Sequence, residues 1–588
     1  MNILGIHDGK DAGVALVVDG KVLFAANEER YSRQKTHFGF PFLALQKLFQ
    51  HTGLEASDVD RVTVGVEAMV EKSGAAYCYE AEPRLHQKVY STLSHRPGGV
   101  TDSRIATHGA PRLLSLMTQS KEELNQNLRT AGIRAPVCYL NHHLAHAASA
   151  YYTSGRQVAL VITSDAGRDA ISGGIYVARD GKIDNKKTFS KTNSAGMFWQ
   201  IITQLCGFDP ERHGSKITSL AAYSDGEEAY RILGQIYRYH ERTGGLENVH
   251  RLAYRETFEY MREKAGHLDI EELSSGAQRI LEEAFLETAR RACERYGLSH
   301  VVLAGGTFAN VRLNQKILAL PGVESAYVHP HMGDGGMAVG SALLQAARGG
   351  DAHPHELRDV YWGDDWNDGA IRAELERTHG IRWRRLDDPA DAIADHMARH
   401  MVVGLFHGRM EYGPRALGHR SILAEPDDPT MIHWLNKRLS RSEFMPFAPV
   451  ILEEEAPKYF EDFDAAAYAA RFMTICVDCQ ALCKEKAPGI VHRDGTARPQ
   501  AVSAHGDAYT HRVLRAYQEK TGLPLAINTS LCRHEEPIVG TPFDAIHELK
   551  RNVIDVLYLD HYEVKLRTSL RAGHELPDGP RRQPEARA

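Results

Sequence analysis

One local grammar occurs twice in the first third of the chain, and it restricts the fold more than any other feature. In ILGIHDGKDAGVALVVDGKVLFAANEER an apolar run ends in a polar turn, a second run VALVV follows, and Asp19-Gly20 leads into VLFAA. In VALVITSDAGRDAISGGIYVARDGKI an apolar strand ends at an acidic turn at Asp165, and the strand GGIYVA ends at Asp180-Gly181. Strand runs joined by Asp-Gly read as hairpins, because that pair accepts the left-handed conformation a tight turn needs. Two copies about 150 residues apart suggest a duplicated α/β unit.

Two such halves facing a cleft are the plan of actin-like ATPases and sugar kinases, and strand ends are where α/β folds place their chemistry. At 588 residues the chain is too long for one core, so two or three domains are expected. A net charge of −6 gives no global basic surface, so neither nucleic acid nor an acidic membrane is an expected partner. The N-terminus MNILGIHDGK has no basic or apolar leader, no apolar run is long enough to span a bilayer, and a cytoplasmic location is expected. Eight cysteines do not make a disulfide framework. Cys476, Cys479 and Cys483 cluster, but no second C-x2-C pair follows, so ordinary thiols are favoured over zinc.

Between the two copies lies YLNHHLAHAASAYYTSG. Asn141 is a good N-cap for an alanine-rich helix. His142 and His146 are one turn apart and share a face, which suits one divalent metal. The spacing fits plain polar histidines equally, and two ligands are not a site. Asp165, at a strand end, is a candidate third ligand. Asp334, in the glycine-rich turn of HPHMGDGGMAVGSALL, is well placed as another metal or phosphate contact. The pair Gly305-Gly306, after the strand HVVLA, allows a flat ligand to approach the backbone. ELSSGAQRILEEAFLETARRACERYG reads as an amphipathic helix with Ile280, Leu281, Phe285, Leu286, Ala289 and Ala292 in its stripe.

The second half changes character. Arg409, Arg415 and Arg420 lie among glycines, Arg441, Arg493 and Arg498 follow, and Asn528, Thr529 and Ser530 close a strand run. Guanidinium forks beside glycine turns and hydroxyls suit a small bidentate anion. Surface salt bridges account for most arginines, less readily for Arg415 and Arg420 with their flanking turns.

Together, NHHLAHAASAYY, EERYSRQK, AGGTFANVRLN, GDGGMAVGSAL, GRMEYGPRALGHRSIL, EFMPFAP, HRDGTARPQ and INTSL..HEEPIVGTP resemble the O-carbamoyltransferase family of nodulation-factor and antibiotic-tailoring enzymes. The resemblance runs from residue 1 to about residue 570. It implies an α/β fold: a duplicated actin-like domain over residues 1–350, a linker over 351–370, a YrdC-like domain over 371–570, and a disordered tail over 571–588. It implies a divalent metal, Fe(II) in many relatives, on His142, His146, Asp165 and Asp334. It implies ATP, with Mg possible alongside, and nucleotide contacts at Lys216, Gly305, Gly306, Asn310 and Gly335. The expected reaction forms carbamoyl-adenylate from carbamoyl phosphate and ATP in the second domain, with Arg415, Arg420, Arg498, Asn528 and Ser530 matching its anion-binding motifs. The carbamoyl group then passes to a natural-product hydroxyl in the first domain, and a homodimer is possible. Lys10-Asp11 stands where the family commonly has His-Asp, so Asp8, Lys10 or Asp11 is left to handle the acceptor. Lys35 matches a basic position near the acceptor cleft. Gly214-Ser215-Lys216 keeps only the lysine of a Glu-Gly-Lys motif, and Met445 replaces a frequent arginine for which Arg441 can substitute. A threonylcarbamoyl-type tRNA-modifying enzyme and a non-enzymatic ATP-binding scaffold are the rival readings.

Overall fold

The computed structural model describes residues 1–66, 110–168, 171–428, 430–441 and 446–567. Met445 and the tail from Arg571 lie outside the described residues. The chain divides into two units: Met1–Ser32, Thr36–Trp362 and Thr474–Cys476 form one, and Arg33–Lys35, Gly363–Met473 and Val477 onward form the other. The main division falls at Trp362/Gly363.

The first unit holds two five-stranded sheets. One is built from β1 (Asn2–His7), β2 (Gly13–Val18), β3 (Lys21–Asn27), β4 (Arg61–Val64) and β5 (Val137–Tyr139), in the order β3-β2-β1-β4-β5. The other uses β6 (Val158–Arg168), β7 (Ile171–Arg179) and β8 (Lys182–Ser190). After a small hairpin of β9 (Tyr237–His240) and β10 (Gly245–Asn248), β11 (His300–Ala304) and β12 (Ser325–Val328) complete it, in the order β8-β7-β6-β11-β12. The pairings correspond one for one. The first three strands of each sheet form an antiparallel meander, and the last two add in parallel beside the first. The repeated grammar is therefore a true structural duplication, as the actin-like expectation requires.

The Asp-Gly turns explain why the meanders close so tightly. Asp19 and Gly20 have φ of 47° and 76°, and Asp180 and Gly181 have 50° and 78°. Two successive left-handed residues match the twist of the flanking strands. One expectation needs correction: β6 does not end at Asp165 but runs on to Arg168, with a register irregularity between Ser164 and Arg168. Such a bulge re-aims side chains without ending the strand.

Two helices lie on these sheets, and glycines set their spacing. A β-carbon on Gly5 of β1 would sit 1.9 Å from Ala338 O, so the helix Met337–Arg348 rests directly on the first sheet. A β-carbon on Gly340 would sit 2.1 Å from Ala145 O, so the histidine helix His142–Tyr151 crosses the Met337–Arg348 helix nearly backbone to backbone. The histidine helix also packs against β6. The helix Ile270–Tyr296 covers the second sheet with Ile280, Leu281, Phe285, Ala289 and Ala292 buried, while Leu286 is half-buried.

The second unit adds β13 (Ile381–Arg385), β14 (Val403–Phe406), β15 (Arg420–Ala424), β16 (Ala448–Leu452), a short pair of β17 (Val477–Asp478) and β18 (Thr496–Ala497), then β19 (Gln500–Val502), β20 (Leu525–Ser530), β21 (Val556–Leu559) and β22 (Tyr562–Leu566). Apart from the short pair, these form one sheet ordered β13-β22-β21-β14-β15-β20-β16-β19. The helices Ala390–Met397 and Ala508–Thr521 bury Ile393, Met397, Val513, Leu514 and Tyr517 against Val403, Leu405, Val450 and Tyr558. Among the described residues no helix is long and apolar enough to cross a membrane.

Candidate metal centre and anion site

Asn141 caps the histidine helix, its side chain accepting the Leu144 N–H at 3.0 Å. That places His142 and His146 on one face, their ring centroids 4.6 Å apart and nearly perpendicular. Both are fully buried. His142 Nε2 lies 2.7 Å from Asp165 Oδ2 and 3.6 Å from Asp334 Oδ1. His146 Nε2 lies 3.3 Å and 3.6 Å from the same two oxygens. All four ligand atoms fall within 4.8 Å of one another.

The polar contacts around this cluster fix its chemistry. His142 Nδ1 donates to Gly65 O at 3.2 Å, so Nε2, 2.7 Å from Asp165 Oδ2, has a proton or a metal ion to share with the carboxylates it faces. Both ring nitrogens of His146 are buried without a hydrogen-bond partner. Asp165 is held by the bulge: its Oδ1 accepts the Gly167 N–H at 2.6 Å, and its main-chain oxygen accepts from Ser194 Oγ at 2.8 Å. Burial alone would raise the Asp165 carboxyl, but the imidazoles of His143 and His142 outweigh it and hold it below the usual carboxylate range. Lone pairs converging from two imidazoles and two carboxylates need a cation between them. Two nitrogens and two carboxylates fit a first-row divalent metal with open positions. The backbone acceptor behind His142 is the kind of outer partner that orients a metal-bound imidazole.

Other expected residues surround this cluster in different ways. Gly335 follows Asp334, and a β-carbon there would sit 2.0 Å from His331 Nε2. His331 Nε2 is 3.1 Å from Asn27 Oδ1, and Asn27 Nδ2 donates to Asp11 O at 2.9 Å. Asp11, with φ of 59°, is thereby tied through its backbone to the turn that carries Asp334. Asp8 is buried, and with burial as the larger cause it helps push the Tyr139 phenol up to about 12. Lys10 Nζ is committed to Glu211, 2.7 Å from Oε2. Gly305, with φ of 101°, brings its backbone so near β6 that a β-carbon would sit 2.1 Å from Ser164 O, whereas Gly306 faces open space. Asn310 caps the helix Val311–Leu318 and pairs with Gln278, Nδ2 donating to Oε1 at 2.8 Å. Lys216 is buried, with its ammonium 5.0 Å from the centre of the Phe208 ring. Lys35 is half-buried and belongs with Arg33 to the second unit.

In the second unit the arginines take two roles. Arg420 is fully buried, with its guanidinium carbon 3.7 Å from the centre of the Phe406 ring. It donates to His407 O at 2.8 Å, His419 O at 3.0 Å and Gly408 O at 3.1 Å, so it organises the loop between β14 and β15. Glu411 reinforces that loop, its Oε1 accepting the N–H groups of Leu417 and Arg420. Arg415 is half-buried on the same loop. Arg441 stacks 4.8 Å over Phe447 and donates to Thr529 Oγ1 at 3.2 Å. Burial and the nearby Arg498 charge push Arg441 down to about 10. Two guanidiniums that disfavour each other's charge form a site biased towards an anion. Asn528 stands on β20, its Nδ2 donating to Gln500 Oε1 at 2.6 Å and Ala416 O at 3.2 Å, while its buried Oδ1 has no hydrogen-bond partner. Ser530 ends the same strand, half-buried.

The family comparison decides between the readings this geometry allows. Residues 2–343 match the family model "Carbamoyltransferase N-terminus", and residues 394–565 match "Carbamoyltransferase C-terminus". This chain belongs to the carbamoyltransferase family. The enzyme is 30% identical over 574 residues to nodulation protein NolNO of Sinorhizobium fredii, covering 96% of this chain and 80% of that one. It is 34% identical over 440 residues to nodulation protein NolO of Bradyrhizobium diazoefficiens, covering 73% and 79%. Nodulation protein U of Rhizobium tropici is 25% identical over 563 residues, covering 91% of each. Among solved structures, HypF of T. kodakarensis is 12% identical with a TM-score of 0.31, and covers 60% of this carbamoyltransferase. A full-length HypF in its phosphate- and nucleotide-bound form is 13% identical with a TM-score of 0.30 and covers 59%. The chain spans about half the length of those two solved proteins, 48% and 46%.

Sequence reasoning missed several residues that the fold brings in. His143 Nε2 lies 3.6 Å from Asp165 Oδ1 and 3.2 Å from Ile171 O. His329, Gln278, Gln500 and Glu411 are buried polar residues at or beside the expected positions. The dense polar motif HPHMGD was the one signal for His329. Cys476, Cys479 and Cys483 are buried, and among the described residues they join no metal-ligand group.

Proposed function

We propose that this carbamoyltransferase is ATP-dependent, acts on a hydroxyl of a natural product, and divides its reaction between two sites. The observation that carries the reading is the presence of two polar sites of opposite character: a cation-seeking His2Asp2 cluster in the first unit and a guanidinium-rich, anion-seeking site in the second. Carbamate is a poor electrophile. In the second unit, water releases carbamate and phosphate from carbamoyl phosphate, and a carbamate oxygen attacks the α-phosphorus of ATP. The bond to the β-phosphate oxygen breaks, pyrophosphate leaves, and carbamoyl-adenylate remains. Arg415, Arg441 and Arg498 neutralise the charge gathering at phosphorus, while Asn528 and Ser530 orient the small acyl group. Arg420 holds the loop that presents Arg415.

In the first unit the acceptor oxygen attacks the carbamoyl carbon, AMP departs with the C–O pair, and the acceptor's proton passes to Asp8 or Asp11, since Lys10 is ion-paired with Glu211. His142, His146, Asp165 and Asp334 would hold a divalent metal, with Fe(II) as the choice that fits the donor set, and that metal would supply Lewis-acid polarisation. Lys216, Gly305, Gly306, Asn310 and Gly335 frame the adenylate, with Asn310 acting through the helix it caps and Gly306 leaving room for a flat ring. A net charge of −6 argues against a tRNA acceptor.

Half-reactions test the reading. Arg498→Ala should lower carbamoyl phosphate-dependent pyrophosphate release about 10²–10³-fold. His142→Ala should leave that release intact and abolish carbamoyl transfer to a hydroxylated acceptor panel. Unchanged pyrophosphate release in Arg498→Ala would sink the proposal.

A further inference from the structure

Beside the metal-ligand cluster, a buried donor and a buried acceptor both lack partners, and their proton positions follow from the surrounding bonds. Thr153 Oγ1 lies 2.5 Å from Ser149 O, one helical turn back. The hydroxyl has one proton, and two oxygens that close must share it, so the proton points at Ser149. Thr153 Oγ1 therefore accepts from its other neighbours, Tyr327 OH at 3.0 Å and His329 Nδ1 at 3.2 Å. His329 thus carries its proton on Nδ1, and Nε2 is a bare lone pair. That Nε2 is buried and meets no hydrogen-bond partner.

His146 is its complement. Its Nε2 points at Asp165 and Asp334, the direction of a metal ligand, so its proton sits on Nδ1. This Nδ1 is also buried without a partner. The His329 ring packs on the turn that carries Asp334: a β-carbon on Gly336 would lie 3.3 Å from His329 Cδ2. His146 Nε2 lies 3.6 Å from Asp334 Oδ1 on that same turn. An unsatisfied buried donor or acceptor costs about 1–3 kcal/mol, so two orphans of opposite type at the same turn call for a bridge.

We infer that His329 is a positioning residue of the metal centre: its Nε2 accepts the Nδ1 proton of His146 through one bridging water, which fixes the tautomer that leaves His146 Nε2 available to the metal. Gly65 O performs the same service for His142 directly. Metal-bound imidazoles are tuned by such outer partners, whose loss lowers metal affinity about 10–100-fold.

The inference rests on the metal reading above, and its test separates the two. Iron(II) and zinc affinities are measured by chelator competition on the full-length wild-type protein, His142→Ala, His329→Asn and His329→Gln. The Asn side chain reaches only the Nδ1 position and keeps the bond to Thr153. The Gln side chain reaches the Nε2 position and restores an acceptor. The expected result is tight wild-type binding, lost in His142→Ala, weakened about 10–100-fold in His329→Asn and largely recovered in His329→Gln. Wild-type affinity in His329→Asn, with binding still lost in His142→Ala, overturns the role of His329 and leaves the metal reading standing. Equal losses in the Asn and Gln variants assign His329 a packing role and also overturn it. If His329→Asn does not fold, the Gln variant decides: near wild-type affinity supports the bridge, and a tenfold loss refutes it. No wild-type binding removes both readings.

Discussion

Gly340→Ala is the sharpest probe of how the fold builds the metal centre. The new methyl would sit 2.1 Å from Ala145 O and 2.9 Å from Ala145 C. Both are backbone atoms, so no rotamer change relieves the clash. Reaching ordinary contact requires the two helices to part by about 1 Å. The histidine helix carries His142 and His146, and the other helix follows directly on the turn that carries Asp334. Metal–ligand distances tolerate only about 0.2 Å. Overpacking of this kind costs about 1–3 kcal/mol, which a unit of this size survives. The variant should therefore stay folded, melt at a lower temperature, and bind Fe(II) or Zn(II) at least about tenfold more weakly, equivalent to about 1.4 kcal/mol. Gly333→Ala is the matched control: it also neighbours Asp334, has φ of −82°, and would meet nothing within 4 Å. Chelator competition and thermal unfolding, run with and without metal, read out both terms. If Gly340→Ala binds metal as tightly as Gly333→Ala does, the close helix crossing does not set the ligand geometry, and the reasoning fails.

Two further outcomes concern the second unit. Arg420→Met should destabilise it by about 2–4 kcal/mol in denaturant unfolding, because three loop carbonyls lose a charged donor, and Arg420→Lys should rescue little, since a point charge lacks the fork. A wild-type denaturation midpoint in Arg420→Met would show the loop is held by something else. His419 and Asp507, 3.7 Å apart, set a pH dependence. Burial would lower His419, but the Asp507 carboxylate outweighs it and raises it above the usual range. Burial would raise Asp507, but His419 and the N–H of Thr510 outweigh it and hold it low. The raised histidine contributes stability that is complete below about pH 6.5 and lost as pH rises through its folded value. The lowered carboxylate contributes stability present above about pH 4 and lost on acidification. Asp507→Asn keeps an oxygen to cap the helix Ala508–Thr521 but removes the charge. It should lower the unfolding temperature near pH 5–6 and flatten the decline towards about pH 8; an unchanged slope would exclude the pair as its origin.

Much of the site was legible because its signals are local. The i, i+4 spacing of His142 and His146, the Asn141 cap and the two Asp-Gly turns each depend on a few neighbouring residues whose backbone preferences are nearly context-free. The repeated strand grammar sufficed for the duplication, since turn chemistry and strand periodicity together leave few topologies. Asp165 was found for a partly wrong reason. Its strand does not stop there, and a register irregularity with Gly167 at φ of 104° turns it towards the histidines, which no local pattern announces.

The sequence by itself determined which side chains could bind a cation and which could bind an anion, because ligand chemistry belongs to residue type. Only the tertiary structure decided their employment. It set Arg420 to holding a loop, committed Lys10 to Glu211, gave Asn310 to a helix cap, and packed His329 on the turn that carries Asp334. The reason is that hydrogen-bond partners far apart in the chain are chosen by packing, and a donor already satisfied by a carbonyl from another element has little left to offer a substrate.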